Sequence, residues 1–296
     1  MPYPYPEVLP ARQAVEHELD IDGVETHWWD YAAPASGAPA IVLVHGYRGD
    51  HHGLDLFARA LTEFRVVIPD LPGFGSSESW DVPVQSIDDY GRWFREFLTV
   101  TNTRDAVIVG HSFGSVVVAN GLRGERRSPI VLINPISQRA LNGPRWFVAT
   151  VTRLWYWVGK RLPVSLSDAW LSNPLFVRIM SGLLAKTHDH SLRKWIHAQH
   201  AAFFSLYADR DSLVEAFDVS ISSCVTDFAR DVHAPVLLIA SDRDDVTPLS
   251  AQLALQPLFD SAQLVVLTGV GHLVHYERPV EAATAISDFL ATHHKY

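Results

Sequence analysis

"DAVIVGHSFGSVVVANGL", residues 105–122, joins a β-branched run to an apolar stretch of helical length through Gly-His-Ser-Phe-Gly. Val107 to Val109 read as a buried strand, and "SVVVANGL" reads as a buried helix. Between them, Ser112 has Gly110 and Gly114 two positions to either side. A sharp strand-to-helix turn forces its central residue into strained geometry, and side chains two places away would collide. Such a turn lifts the serine hydroxyl to the C-terminal edge of a sheet. It also sets it at a helix start, where backbone N–H groups face it. The G-x-S-x-G pattern is weak by itself; here strand and helix flank it as that reading requires.

The surrounding chain repeats the same rhythm. "APAIVLVHG" (38–46), "RVVIPDLPG" (65–73), "SPIVLINP" (128–135), "APVLLIAS" (234–241) and "AQLVVLTG" (262–269) are short, β-rich apolar runs. With 107–109 they predict six strands buried on both faces. Helical patterns are expected at 52–63, 84–100, 115–123, 248–259 and 279–292. This alternation specifies an α/β fold with a mostly parallel central sheet flanked by helices. "AVEHELDI" and "VETHWWDY" alternate in polarity around Asp22-Gly23, which predicts a hairpin adding antiparallel strands at one edge. The rhythm breaks between Pro135 and about Val225. That segment has no buried-strand run and holds Trp146, Trp155, Trp157, Trp170 and Trp195, five of the nine tryptophans. It reads as an inserted α-helical cap over 135–225, with the core formed by 1–134 and 226–296.

Composition bounds the function. At 48% hydrophobic and 19% charged residues, the 296-residue chain is expected to be globular with a well-filled core. A net charge of −9 argues against nucleic acid as the main partner. The local basic stretch "RGERR" (123–127) reads as a solvated loop. No run of 18 uncharged apolar residues appears, so no integral membrane segment is expected. The proline-rich start reads as an extended surface arm, not a secretory signal. With one cysteine, Cys224, the expected location is cytoplasmic.

A serine hydroxyl is a poor nucleophile until a base takes its proton, and the base needs an orienting carboxylate. Fifteen histidines make position the test. "TGVGHLVHYERP" (268–279) sets His272 in a Gly-rich loop past the last strand run. "ASDRDDVTP" (240–248) sets Asp242, Asp244 and Asp245 past the run before it. Loops at strand C-termini converge on one crevice in an open α/β sheet. The paired histidines, such as His51-His52, suggest metal, but none carries a Cys or carboxylate at a recognised ligand spacing. No metal or cofactor is expected.

Taken together, "VHGYRG" (44–49), "DLPGFGSS" (70–77), "GHSFG" (110–114), "SDRDDVTP" (241–248) and "GVGHLVHYERP" (269–279) resemble the α/β-hydrolase fold superfamily, in its esterase- and lipase-like form with a helical cap. The likeness covers roughly residues 13–294. It implies Ser112 as nucleophile, Asp244 as the acid and His272 as the base. Some relatives carry the acid after an earlier strand; here that place falls near Asn134, which is not a carboxylate. The oxyanion donors would be the backbone N–H groups of Phe113 and, by resemblance, Tyr47. His45 would fix the oxyanion loop. His111 would turn toward the sheet side of the elbow, and His275 would pack or face solvent. No chemistry is assigned to Asp70.

The resemblance implies hydrolysis of a carboxylic ester, or an amide or thioester, through an acyl-enzyme. The expected partner is a small-molecule substrate with a hydrophobic acyl or aromatic part. Helical aromatics more often bury a cap against its core; the working expectation is that Trp155, Tyr156, Trp157, Phe203 and Phe204 also line an apolar pocket. Acyl transfer uses the same acyl-enzyme. C–C bond hydrolases usually carry a tryptophan after the catalytic histidine, where this chain has Leu273. Aspartate-nucleophile epoxide hydrolases and dehalogenases are disfavoured by Ser112. A binding or receptor-like protein with little turnover is the reading from another class.

Overall fold

A computed structural model describes all residues except 1–3, 6–8, 34, 36, 85, 126, 127, 143–145 and 294–296. The "RGERR" stretch therefore lies partly outside the described residues, as do Pro2 and Pro6 of the arm. Eight strands form one sheet: β1 (Ala14–Ile21), β2 (Val24–Tyr31), β3 (Ala40–Val44), β4 (Arg65–Pro69), β5 (Val107–His111), β6 (Ile130–Ile133), β7 (Val236–Ser241) and β8 (Ala262–Leu267). Their order is β1-β2-β4-β3-β5-β6-β7-β8. β1 pairs antiparallel with β2 and β2 with β4, and the remaining strand pairings are parallel. Asp22 and Gly23 make its turn with φ of 54° and 76°, the left-handed pair a two-residue hairpin needs.

Residue alternation along the central strands divides the core. Val42, Val44, Ile108, Leu132 and Leu238 face one side, where α2 (Ile87–Val100) and α3 (Phe113–Gly121) pack. Ile41, Leu43, Val107, Val109 and Ile239 face the other, under α1 (His51–Ala60) and the helix Pro279–His293. Period-two strands buried on both faces read as continuous apolar runs for this reason. β8 departs from the expectation of double burial. It is the last strand of the sheet, and Ala262–Leu267 are only partly covered. A run of apolar residues does not reveal whether a strand ends up at an edge.

Between β6 and β7 the described residues form five α-helices: α4 (Trp146–Arg161), α5 (Val164–Leu171), α6 (Pro174–Leu184), α7 (His190–Phe203) and α8 (Arg210–Ser222). Described residues of this segment form no named strand. α8 buries Leu213, Ala216 and Phe217 in the same cluster as the sheet face carrying α3, so these helices share apolar contacts with the sheet layer. Of the N-terminal arm, Leu9 is buried against the apolar group around Trp195, and the Tyr5 hydroxyl donates to the Tyr276 carbonyl at 2.9 Å. No helix among the described residues is long and apolar enough to cross a membrane.

Candidate active site

The loops after β3, β5, β7 and β8 meet at the carboxyl ends of the strands. Chain order reverses there, with β4 and β5 on opposite sides of β3, and ligand crevices of open α/β sheets form at such points. Ser112 joins β5 to α3 with φ of 52°, a left-handed conformation that L-residues adopt only under constraint. The glycines around it are obligatory. A Cβ on Gly114 would stand 2.4 Å from the Val44 carbonyl oxygen, and one on Gly110 would stand 2.7 Å from the Gly114 oxygen.

His272 lies in the loop after β8. Its Nε2 is 2.8 Å from Ser112 Oγ, and its Nδ1 is 2.7 Å from Asp244 Oδ2. The carboxylate only accepts, so Nδ1–H donates and Nε2 is left to accept from the serine. Asp244 follows β7. Its Oδ1 accepts from the backbones of Val246 and Thr247, and its Oδ2 also accepts from Thr247 Oγ1 at 2.6 Å. Burial alone pushes this carboxyl up, but His272 and the Thr247 hydrogen bonds hold it below its ordinary value. All three side chains are more than nine-tenths buried.

The other two carboxylates of the cluster have different partners. Asp242 accepts from the backbone of Gly269 at 2.7 Å, tying the loops after β7 and β8 together. Asp245 meets Lys186 Nζ at 2.6 Å. Asp70 is a loop clamp. It accepts from the backbones of His51 and Ser76, and Gly75, at φ of 61°, leaves the space its carboxylate fills.

The loop after β3 crosses in front of the serine. A Cβ on Gly46 would stand 3.0 Å from Ser112 Cβ. His45 holds the loop as expected: Nε2 accepts from Leu71 N at 2.8 Å, so Nδ1–H donates to the Gly46 carbonyl. Tyr47 sits in this loop and lines the cavity; its hydroxyl donates to the Leu213 carbonyl at 2.9 Å. Phe113 opens α3, at a first-turn position whose N–H has no carbonyl within the helix to bond.

A cavity of about 80 Å³ opens on Ser112 and His272. Its walls come from the β3 loop, the start of α1, α7 and the histidine loop. Phe203 and Phe204 line it; Trp155, Tyr156 and Trp157 do not. Trp155 stacks between Trp170 and Phe176, Tyr156 stacks on Phe217, and Trp157 is half exposed under Arg161. Packing, not pocket lining, accounts for these three. His111 also departs from expectation. It lines the cavity, 4.5 Å between ring centroids from His275, and its Nε2 donates to the His272 carbonyl at 3.0 Å. Burial, helped by His272, pushes His111 down to about 3.

Four further side chains here escaped sequence reasoning. Asn134, at φ of 42° after β6, donates Nδ2 to the His272 carbonyl and the Ser241 hydroxyl. Thr247 holds Asp244. Arg48, 3% exposed, donates to the carbonyls of Phe204 and Leu171 and to the Tyr156 hydroxyl, tying the loop after β3 to α4, α5 and the end of α7. Asp50 caps α1 and lines the cavity. Asp50, His51 and His52 also bring three potential metal-ligand atoms within 4.8 Å of one another; the histidine pair was visible in the sequence, but the carboxylate beside it was passed over. His51 Nδ1 is held by Asp70 at 3.2 Å and its ring stacks on Trp29.

The model of the alpha/beta hydrolase family matches residues 41–285. The chain belongs to this family. It is 24% identical over 277 residues to the uncharacterized hydrolase YugF of Bacillus subtilis, covering 91% of this chain and 96% of that protein. It is 24% identical over 278 residues to a probable 1-acylglycerol-3-phosphate O-acyltransferase of Oryza sativa, covering 82% of this chain and 64% of that protein. Among solved structures, a thermophilic esterase from Thermogutta terrifontis superposes with a TM-score of 0.75 at 20% identity, over 95% of this hydrolase and 100% of that chain.

Proposed function

We propose that this alpha/beta hydrolase cleaves carboxylic esters through an acyl-enzyme on Ser112. The observation that carries the reading is His272 bridging Ser112 and Asp244 at 2.8 and 2.7 Å in one buried line. Ser112 Oγ attacks the acyl carbonyl as its proton passes to His272 Nε2. Asp244 keeps Nδ1 protonated and supports the imidazolium that forms. The N–H groups of Tyr47 and Phe113 receive the oxyanion; one such donor is worth about 3 kcal/mol in the transition state. His272 then protonates the leaving alkoxide. Water, activated by the same nitrogen, releases the acid. The helices over 135–225 act as the cap that shields these steps from bulk water.

A cavity of about 80 Å³ suits a short acyl or alkyl group. Hydrolysis of p-nitrophenyl esters across acyl lengths, with Ser112→Ala beside the wild type, tests the reading. Activity should need Ser112 and peak at short chains. A folded wild type no faster than Ser112→Ala on any length would sink it. Acyl transfer to an alcohol is the second reading, favoured by likeness to the rice acyltransferase; ester product accumulating in the presence of an alcohol acceptor would reveal it.

A further inference from the structure

The cavity beside Ser112 is not uniformly apolar. Leu54, Leu184, Phe203 and Phe204 form part of its wall, and Asp50, His200 and His275 form another part. These three polar residues are only 2%, 7% and 6% exposed. Asp50 Oδ2, His200 Nδ1 and His275 Nδ1 have no hydrogen-bond partner. Buried polar atoms are nearly always bonded, and three orphans around one small cavity mark a place where a ligand supplies the bonds. Structural duty does not account for them. Asp50 caps α1 with Oδ1, through Gly53 N at 3.3 Å, which leaves Oδ2 over. Oδ2 stands 3.4 Å from His52 Nδ1, an ion-pair distance, and neither atom has a hydrogen bond. Arg48, on the same loop, is committed to carbonyl and hydroxyl oxygens.

We propose that Asp50, His200 and His275 form a polar subsite that selects esters bearing a hydrogen-bond-donating group, a hydroxyl or an amine, a few atoms from the scissile carbonyl. The inference rests on the ester-hydrolase reading in taking this cavity as the substrate's. An ionised carboxylate offers acceptors only, and a neutral imidazole always keeps one accepting nitrogen. Burial pushes His200 down to about 4 and His275 well below its ordinary value, so both are neutral near pH 7. Burial alone raises Asp50, but His52, His51 and His45 hold it below its ordinary value. An anionic substituent would meet Asp50 with like charge, and Arg48, the arginine among the described lining residues, is already committed.

The test is calorimetric titration of the Ser112→Ala protein in EDTA, which binds esters without turning them over. Ethyl β-hydroxybutyrate and ethyl β-aminobutyrate are compared with ethyl isovalerate, their methyl isostere. Ethylene glycol monobutyrate is compared with propyl butyrate, to probe the alcohol side. On at least one side, a donor-bearing ester should bind at least about tenfold tighter than its isostere. Whether hydroxyl or amine shows the larger preference identifies the donor. Adding Asp50→Asn, which keeps a capping side chain, or His275→Phe, which keeps a ring against His111, should bring that ratio within about threefold of unity. The ratio is internal to each protein, and melting midpoints report folding. Equal binding within both pairs, no measurable binding of any donor-bearing ester, or a ratio unmoved by both variants would overturn the subsite. Wild-type turnover of the same esters is scored separately. A persistent binding preference without Ser112-dependent turnover would remove the esterase reading and leave the subsite.

Discussion

The side-chain amide of Asn134 lies 3.1 Å from the backbone carbonyl of His272, donating to it from the end of β6. The same nitrogen is 3.0 Å from Ser241 Oγ and 3.3 Å from the Gly271 carbonyl, and Oδ1 accepts from Ser241 N. One buried amide thus fixes the histidine loop to β6 and β7. Asn134→Asp would keep the shape and replace the donor by a carboxylate facing two carbonyl oxygens. We expect a loss of about 2–4 kcal/mol in unfolding free energy, because a buried charge gains no partner there. We also expect kcat to fall at least about tenfold as His272 loses its fixed position. Urea unfolding and ester kinetics on the purified variant check both; an active, equally stable Asn134→Asp protein would refute this role.

The acid of the site is decided among three neighbouring aspartates. Asp244→Asn leaves the geometry nearly intact but removes the acceptor that keeps His272 Nδ1 protonated. Comparable changes in serine hydrolases cost on the order of 10⁴ in kcat. Asp245→Asn weakens the contact with Lys186 and leaves His272 and Ser112 their partners, so kcat should stay within about threefold. Parallel kinetics on the two variants give the answer. Equal losses from both would refute the assignment of Asp244 alone as the acid.

Much of this was legible before the structure because the signals were local and repeated. Apolar runs ending in Gly or Asp mark parallel strands, and loops after such strands converge, so Ser112 and His272 follow from order along the chain. Asp22-Gly23 announces the hairpin by its backbone needs alone. What was not legible depends on tertiary placement. β8 has the same apolar run as β7, yet lies at the sheet edge. Trp155, Tyr156 and Trp157 share one helix, and nothing in the sequence says that it stands away from the cavity wall. Asp50, His200 and His275 come from three distant segments, and nothing in any one of them points to the others. The positive φ of Arg48 and Asn134 is equally silent in sequence, since neither is glycine.

Arg48 carries a buried guanidinium bonded to backbone carbonyls and hydroxyls instead of a carboxylate. It lies next to Tyr47, so the loop expected to hold the oxyanion is braced by the helices above it. Arg48→Met would leave the Leu171 and Phe204 carbonyls without this donor. The expected loss is about 2–4 kcal/mol of stability. kcat/KM on a short ester should drop at least about tenfold, since Phe204 lines the cavity and loses its tether. Arg48→Lys keeps the charge but not the fork, and should recover only part of either quantity. Denaturation midpoints and steady-state rates on both variants test this; wild-type rates in Arg48→Met would show that the brace is dispensable.

Acid should weaken the fold through a buried histidine as pH falls from about 6.5 toward 4. His200 is buried and neutral in the native state at about 4, against an ordinary value of 6.5. Between those values the unfolded chain binds a proton that the folded chain refuses, so stability rises with pH across this window. His200's contribution is complete above about pH 6.5 and is lost as pH falls toward 4. Each pH unit of separation is worth about 1.4 kcal/mol, which makes the loss about 3 kcal/mol for this residue. Asp244 and Asp50 sit below their ordinary value of 3.8 and act at lower pH, whereas Glu277 and Asp55 are raised by burial and oppose the decline, so the His200 part is read from a variant. Urea unfolding at a series of pH values across this range should show the decline. His200→Gln should flatten the slope by about one proton, even if its stability at neutral pH is lower. An unchanged slope in that variant would mean that His200 is protonated in the folded protein as readily as in the unfolded chain.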